Sequence, residues 1–154
     1  MEYLSIDGQC FYNMIVNASN KLEEQKDFVN SLNVFPVPDG DTGTNMAMTL
    51  KNAVIEISNI KVKSIDTVSI DLAKGALMGA RGNSGVILSQ IFRGISKGLQ
   101  GKSQVNSSEF ALALEEGAKA AYKAVMRPTE GTILTIIRGA GESAIKSKKE
   151  DITE

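Results

Sequence analysis

Three features of this 154-residue sequence predict an all-α fold. Apolar residues recur at helical spacing through six segments, no stretch alternates convincingly as a half-buried strand would, and breaker-rich stretches punctuate the pattern. The length suits one domain with a single core. A composition of 42% hydrophobic and 23% charged residues is that of a globular chain rather than a disordered one.

From Asp7, an expected N-cap, the residues Phe11, Met14, Ile15, Ala18 and Leu22 form a stripe that Phe28, Val29 and Leu32 extend. This first helix ends at NVFPVPDGDTGTNM, Asn33 to Met46. Met46, Leu50, Ala53, Val54 and Ile57 define a second helix, and a third, which Ser64 is placed to cap, carries Ile65, Val68, Leu72 and Ala76. GARGNSG, Gly79 to Gly85, interrupts before a fourth helix with Ile87, Ile91 and Ile95 on one side. Asn106 and Glu109 have capping-box spacing ahead of Phe110, Ala113, Leu114, Gly117 and Ala121 in the fifth. RPTEGT, Arg127 to Thr132, leads into a sixth with Ile133, Ile136, Ile137 and Ala140. The helical domain is expected to span 1–146, with 147–154 a polar tail.

A formal net charge of -1, from 17 basic and 18 acidic residues, argues against a nucleic-acid groove or a polybasic membrane surface. Any phosphate must be met locally. The single Cys10 cannot form an internal disulfide, and no basic, then apolar leader opens the sequence, which points to the cytoplasm. Apolar runs such as Ile133 to Ile137 fall far short of the roughly twenty residues that span a bilayer. Histidine is absent, which removes the commonest general base and any phosphohistidine intermediate.

The chemistry concentrates in NVFPVPDGDTGTNM. Two carboxylates about 5 Å apart at an effective dielectric near 20 repel by roughly 3 kcal/mol, so Asp39 and Asp41 call for water or a cation between them. A calcium loop counted from Asp39 fails at Gly43, Thr44 and Leu50, where an acid or amide, a glycine and a glutamate belong. An aspartyl-phosphate phosphatase motif fails because Pro36 breaks the strand that must precede its nucleophile. A magnesium site gripping a nucleotide fits better, since magnesium takes one or two carboxylates plus substrate phosphates and water. Pro36 and Pro38 restrict the backbone, Gly40 and Gly43 permit turns, and Thr42, Thr44 and Asn45 sit at a helix start where they can donate to phosphate. An exposed turn with Thr42 or Thr44 as an ordinary N-cap remains the alternative.

GARGNSG lacks the lysine and spacing of a Walker loop. Its glycines still allow backbone amides to approach phosphate, with Asn83 and Ser84 adding donors, unless Ser84 merely caps and Gly85 merely packs. Arg81 can neutralise phosphate or face solvent. Thr132 can contact a nucleotide or cap the sixth helix. All three breaker-rich stretches directly precede a helix, where unpaired N–H groups and the positive helix end receive anions.

NVFPVPDGDTGTNM, then GARGNSGVILSQ, then PTEGTILT together resemble the dihydroxyacetone-kinase-like nucleotide-binding domain, and within it the ATP-binding domain of bacterial fatty acid kinase. The resemblance covers essentially the whole chain in motif order. It implies a barrel of antiparallel helices with ATP held at one end through two magnesium ions on Asp39 and Asp41. It implies that Gly82, Asn83, Ser84 and Gly85 cradle phosphates, and that Ile87, Thr132 and Ile133 line the adenine pocket. Thr42, Thr44 and Asn45 follow from their place in the motif. The implied partner is a separate fatty-acid-binding protein, with a homodimer expected for the full-length protein.

Two departures bear on the acceptor and the metal. Dihydroxyacetone kinases carry a further aspartate upstream of the pair, and its nearest counterpart here is the neutral Asn33, one position out of register. They also often place histidine after the second aspartate, where this chain has Thr42, which favours the fatty acid branch over triose substrates. Family domains continue through a further helix, so the sequence is expected to be a fragment. The expected reaction is phosphoryl transfer from ATP to a fatty acid carboxylate, for which no histidine base is needed. Transfer to dihydroxyacetone, or a helical interaction module with a degenerate nucleotide site, are the competing expectations.

Overall fold

The computed structural model describes residues 4–35, 37–61 and 64–147. Six helices carry the fold: α1 (Gly8–Leu32), α2 (Thr42–Ser58), α3 (Ile65–Met78), α4 (Gly82–Leu99), α5 (Ser107–Ala124) and α6 (Ile133–Lys146). The all-α expectation holds, with one small correction. Two strands of two residues each, β1 (Ile6–Asp7) and β2 (Gln104–Val105), pair antiparallel, Ile6 against Val105. Strands this short carry no alternation to detect, yet both apolar members are buried, so the pair seals one end of the core. Pro36 and the tail beyond Ser147 lie outside the described residues.

Each helix runs antiparallel to the next. Asn30 near the end of α1 meets Thr44 at the start of α2, Gly79 after α3 meets Asn52, Gly98 late in α4 meets Ala113 early in α5, and Gly141 in α6 meets Glu115. The starts of α2, α4 and α6 therefore share one end of the molecule, with β1 and β2 at the other. The core between the helices contains Phe11, Leu50, Ile57, Ile65, Leu72, Ile91, Leu99 and Leu134, with Phe11 and Phe110 edge to face at 6.4 Å. Among the described residues no helix is long and apolar enough to cross a membrane.

Three expected caps are present. Asp7 accepts from the Cys10 N–H at 2.8 Å, Asn106 and Glu109 form the reciprocal capping box, and Thr132 accepts from Leu134 N–H at 3.3 Å. Ser64 occupies the N-cap position of α3 without making a cap bond. Its hydroxyl donates to Asp66, while the Ile65 and Asp66 amides donate to the carbonyls of Ser103 and Lys102. A neighbouring backbone segment thus satisfies that helix end.

Two stripes differ from expectation. In α1, Phe11 and Ile15 are buried, but Met14 beside them is exposed, and so are Phe28 and Leu32 in the last turns, next to the aspartate loop. In α6 the buried face is Leu134 and Gly141, and Ile136 is 73% exposed. Ile133 and Ile137 pack half-buried beside that face, so of the expected stripe only Ile136 and Ala140 turn outward.

Candidate functional site

The aspartate loop is held from α1. The Asn33 side-chain amide donates to the Val37 carbonyl at 2.9 Å, and its Oδ1 accepts from the N–H groups of Asp41 and Thr42 at 3.1 and 3.2 Å. One turn earlier, Asn30 Oδ1 accepts from the Thr44 N–H at 3.0 Å and its Nδ2 donates to Thr44 Oγ1 at 2.9 Å. Between them, Gly43 lies flat on α1: a Cβ there would sit 2.1 Å from the Lys26 carbonyl oxygen. The alternative of an ordinary cap by Thr42 or Thr44 is thereby set aside. Asp41 stands at the N-cap position with no side-chain cap bond, and Asn30 of α1 together with its C-cap residue Asn33 satisfies the amides instead.

This frees the carboxylates. Asp39 and Asp41 are exposed, and among the described residues neither side-chain carboxylate takes part in a hydrogen bond or ion pair. Hard, unpaired oxygen donors on a braced loop suit magnesium, which needs few protein ligands when phosphate supplies the rest. Among the described residues no three His, Cys, Asp or Glu side chains cluster as a metal site, so the pair stands alone as acidic donors. Asn33, offered as a third ligand, has its oxygen directed at two backbone amides.

GARGNSG presents an open helix end. The helix begins at Gly82, whose φ of +62° favours glycine, so Asn83 and Ser84 lie in the first turn and Ser84 does not cap. Arg81 holds the N-cap position, and no side chain caps this end. The first backbone bond of the helix runs from the Gly85 N–H to the Arg81 carbonyl, which among the described residues leaves the amides of Gly82, Asn83 and Ser84 open. Arg81 and Asn83 are exposed beside them.

The two loops meet on α2. Asn45, Thr49 and Asn52, at i, i+4 and i+7, form a polar ridge against GARGNSG. An added Cβ on Gly82 would lie 2.5 Å from Asn45 Nδ2, one on Gly85 2.4 Å from Thr49 Oγ1, and one on Gly79 2.5 Å from Asn52 Cβ. Thr49 is fully buried and accepts from the Arg81 N–H at 3.0 Å. Sequence reasoning passed over Thr49 and Asn52. A polar i, i+4, i+7 row beside the apolar stripe of Leu50, Ala53 and Ile57 was the available signal.

RPTEGT is locked locally. Glu130 Oε1 accepts from Tyr122 Oη at 2.8 Å and from Arg138 Nη1 at 2.7 Å, and Oε2 accepts from Thr135 Oγ1. Those bonds, Thr135 first, hold the Glu130 carboxyl below its ordinary value of 4.5. Desolvation, and then Glu130, push the Tyr122 phenol up. Thr132 caps α6 and donates to the Thr129 carbonyl at 2.8 Å, while Ile87 and Ile133 are half-buried against the core. Helix direction brings this loop to the same end as the other two, but among the described residues no hydrogen bond joins it to them. A cleft of about 190 Å³ between α1 and α2 is lined by Lys26, Thr44, Lys51 and Asn52 among others.

Residues 36–154 match the DAK2 domain. Protein YloV of Bacillus subtilis (strain 168) is 48% identical over 155 residues, which cover 99% of this chain and 28% of that protein. Uncharacterised proteins of Staphylococcus aureus strains USA300 and N315 are each 48% identical over 151 residues, covering 97% of this chain and 28% of theirs. The chain thus spans little more than a quarter of the length of these relatives. On a match that takes in the aspartate loop, GARGNSG and RPTEGT alike, the chain belongs to the DAK2 domain family, a dihydroxyacetone-kinase-like group.

Proposed function

We propose that this chain is the magnesium-ATP-binding unit of a phosphotransferase. The observation that carries the reading is the uncapped start of α4: three open amides with Arg81 beside them, held against the helix that Asp41 begins. An anion at such an end is favoured by the amides and by the helix dipole together. Asp39 and Asp41 would hold magnesium, with water and phosphate oxygens completing the shell of one or two ions, since Asn33 Oδ1 is taken up by the Asp41 and Thr42 amides. Magnesium would neutralise charge on the β and γ phosphates. The open amides of Gly82, Asn83 and Ser84 would receive phosphate, with Gly85 closing the turn behind them against Thr49; Thr42, Thr44 and Asn45 would border it, and Ile87, Thr132 and Ile133 would line the base pocket.

The acceptor we favour is a fatty acid carboxylate presented by a separate fatty-acid-binding protein. One carboxylate oxygen forms a bond to the γ-phosphorus as the bond to the β–γ bridging oxygen breaks, giving an acyl phosphate and ADP. The nucleophile arrives already ionised, so a chain without histidine lacks nothing that this step requires. Transfer to a triose hydroxyl would need a base from elsewhere.

Asp39→Asn and Asp41→Asn should each abolish magnesium-dependent ATP binding, measured by titration calorimetry, with the circular dichroism spectrum unchanged. Equal ATP affinity in both variants would overturn the metal assignment. Activity of the full-length protein, assayed with a loaded fatty-acid-binding protein and with dihydroxyacetone, distinguishes the acceptors. One observation favours a second reading as an interaction module: Phe28, Leu32, Val34, Phe35 and Val37 are all exposed beside the aspartate loop. Absence of nucleotide binding at millimolar concentration would select it.

A further inference from the structure

We propose that Thr49 is a positioning residue that fixes the aspartate loop and GARGNSG as one rigid unit, a role that rests on the nucleotide-site reading above. A threonine inside a helix ordinarily returns its hydroxyl to the carbonyl four residues back, and Thr49 does so, donating to the Asn45 carbonyl at 2.7 Å. That bond uses its proton and leaves its lone pairs. One of them accepts the Arg81 N–H at 3.0 Å, from the residue directly before α4. The Asn45 N–H in turn donates to the Asp41 carbonyl at 2.9 Å. Three consecutive hydrogen bonds therefore run from the Asp41 peptide, through Asn45 and Thr49, to the Arg81 peptide.

The setting makes this chain stiff. Thr49 has 0% exposure, so no water can replace its oxygen as the acceptor for Arg81. Gly85 has no room for a side chain because Thr49 Oγ1 would lie 2.4 Å from its Cβ, and Gly82 is limited in the same way by Asn45. Metal carboxylates on one loop and phosphate amides on the other must keep a fixed separation to act on a single nucleotide, since positioning is most of what such a site contributes. The Thr49 hydroxyl sets that separation without touching the nucleotide.

Thr49→Val keeps the shape and removes the hydroxyl, Thr49→Ser keeps the hydroxyl, and Thr49→Cys fills the space with a weakly bonding thiol should the valine variant fail to fold. Two quantities are measured on the full chain: the factor by which magnesium tightens ATP binding, and the hydrogen-exchange rate of the Arg81 amide without nucleotide. The valine or cysteine variant should lose about tenfold of the magnesium effect and exchange Arg81 about tenfold faster, while serine matches wild type. A variant with a lower unfolding temperature but an unchanged magnesium effect and a protected Arg81 amide would show a merely structural threonine and overturn the proposal. If the wild type binds no magnesium-ATP, the functional reading fails by itself. The Arg81 exchange rate then decides the coupling alone, and an unchanged rate in the valine or cysteine variant overturns it.

Discussion

Asn33 illustrates how much a single side chain does at this site. Its one amide group makes three bonds that pin the turn containing Gly40, so the loop's shape is fixed by a neutral side chain and the carboxylates stay unspent. Asn33→Ala should cost about 1 kcal/mol of stability by chemical denaturation, since two helix-start amides lose their acceptor. It should also weaken magnesium-dependent nucleotide binding more than magnesium-free binding. The sequence marked Asn33 only as a displaced counterpart of an aspartate, because a side chain's partners eight and nine residues ahead cannot be read from composition or periodicity. Thr49 stood in a polar row the sequence displayed, but its bond to Arg81, 32 residues away, could not be read there. Asp39 and Asp41 were legible because two acids in a glycine and proline setting are conspicuous in themselves.

Helices and their ends separate along a similar line. All six helices were legible, and so were the caps at Asp7, Asn106 and Thr132, whose bonds close within three residues. The starts of α2, α3 and α4 were not, since their amides are satisfied from another element or left open. Asn106→Ala should destabilise the protein by about 0.5–2 kcal/mol in thermal or urea unfolding, because it removes half of a reciprocal cap. Glu109, the other half, has its carboxyl held below the ordinary 4.5, first by the Lys102 ammonium and then by the Asn106 N–H. A depressed carboxyl contributes stability that is complete above its unfolded value and fades as pH falls through the folded one. Acid titration of unfolding should therefore show this contribution lost below pH 4.5, and Glu109→Gln should flatten that part of the profile.

Across the whole molecule, strict alternation of helix direction gathers three positive helix ends at one face of a chain whose net charge is -1. Under the proposed function, anion binding would depend on these local dipoles rather than on overall charge, which is why bulk composition excluded a nucleic-acid groove yet left a nucleotide open. A non-hydrolysable ATP analogue with magnesium at 100 times its dissociation constant should add about 2.7 kcal/mol to unfolding, seen as a rise of several degrees in the thermal midpoint. Omitting magnesium should remove most of that rise.

The uncapped start of α4 has a practical corollary for the choice of buffer. Open amides beside an arginine do not distinguish the phosphate of a nucleotide from orthophosphate or sulfate, so under the proposed function these salts would compete for the same end of the helix. Nucleotide affinities measured in phosphate buffer will therefore read weaker than those in an amine-sulfonate buffer of equal ionic strength, and the difference should shrink as Arg81 is neutralised by substitution.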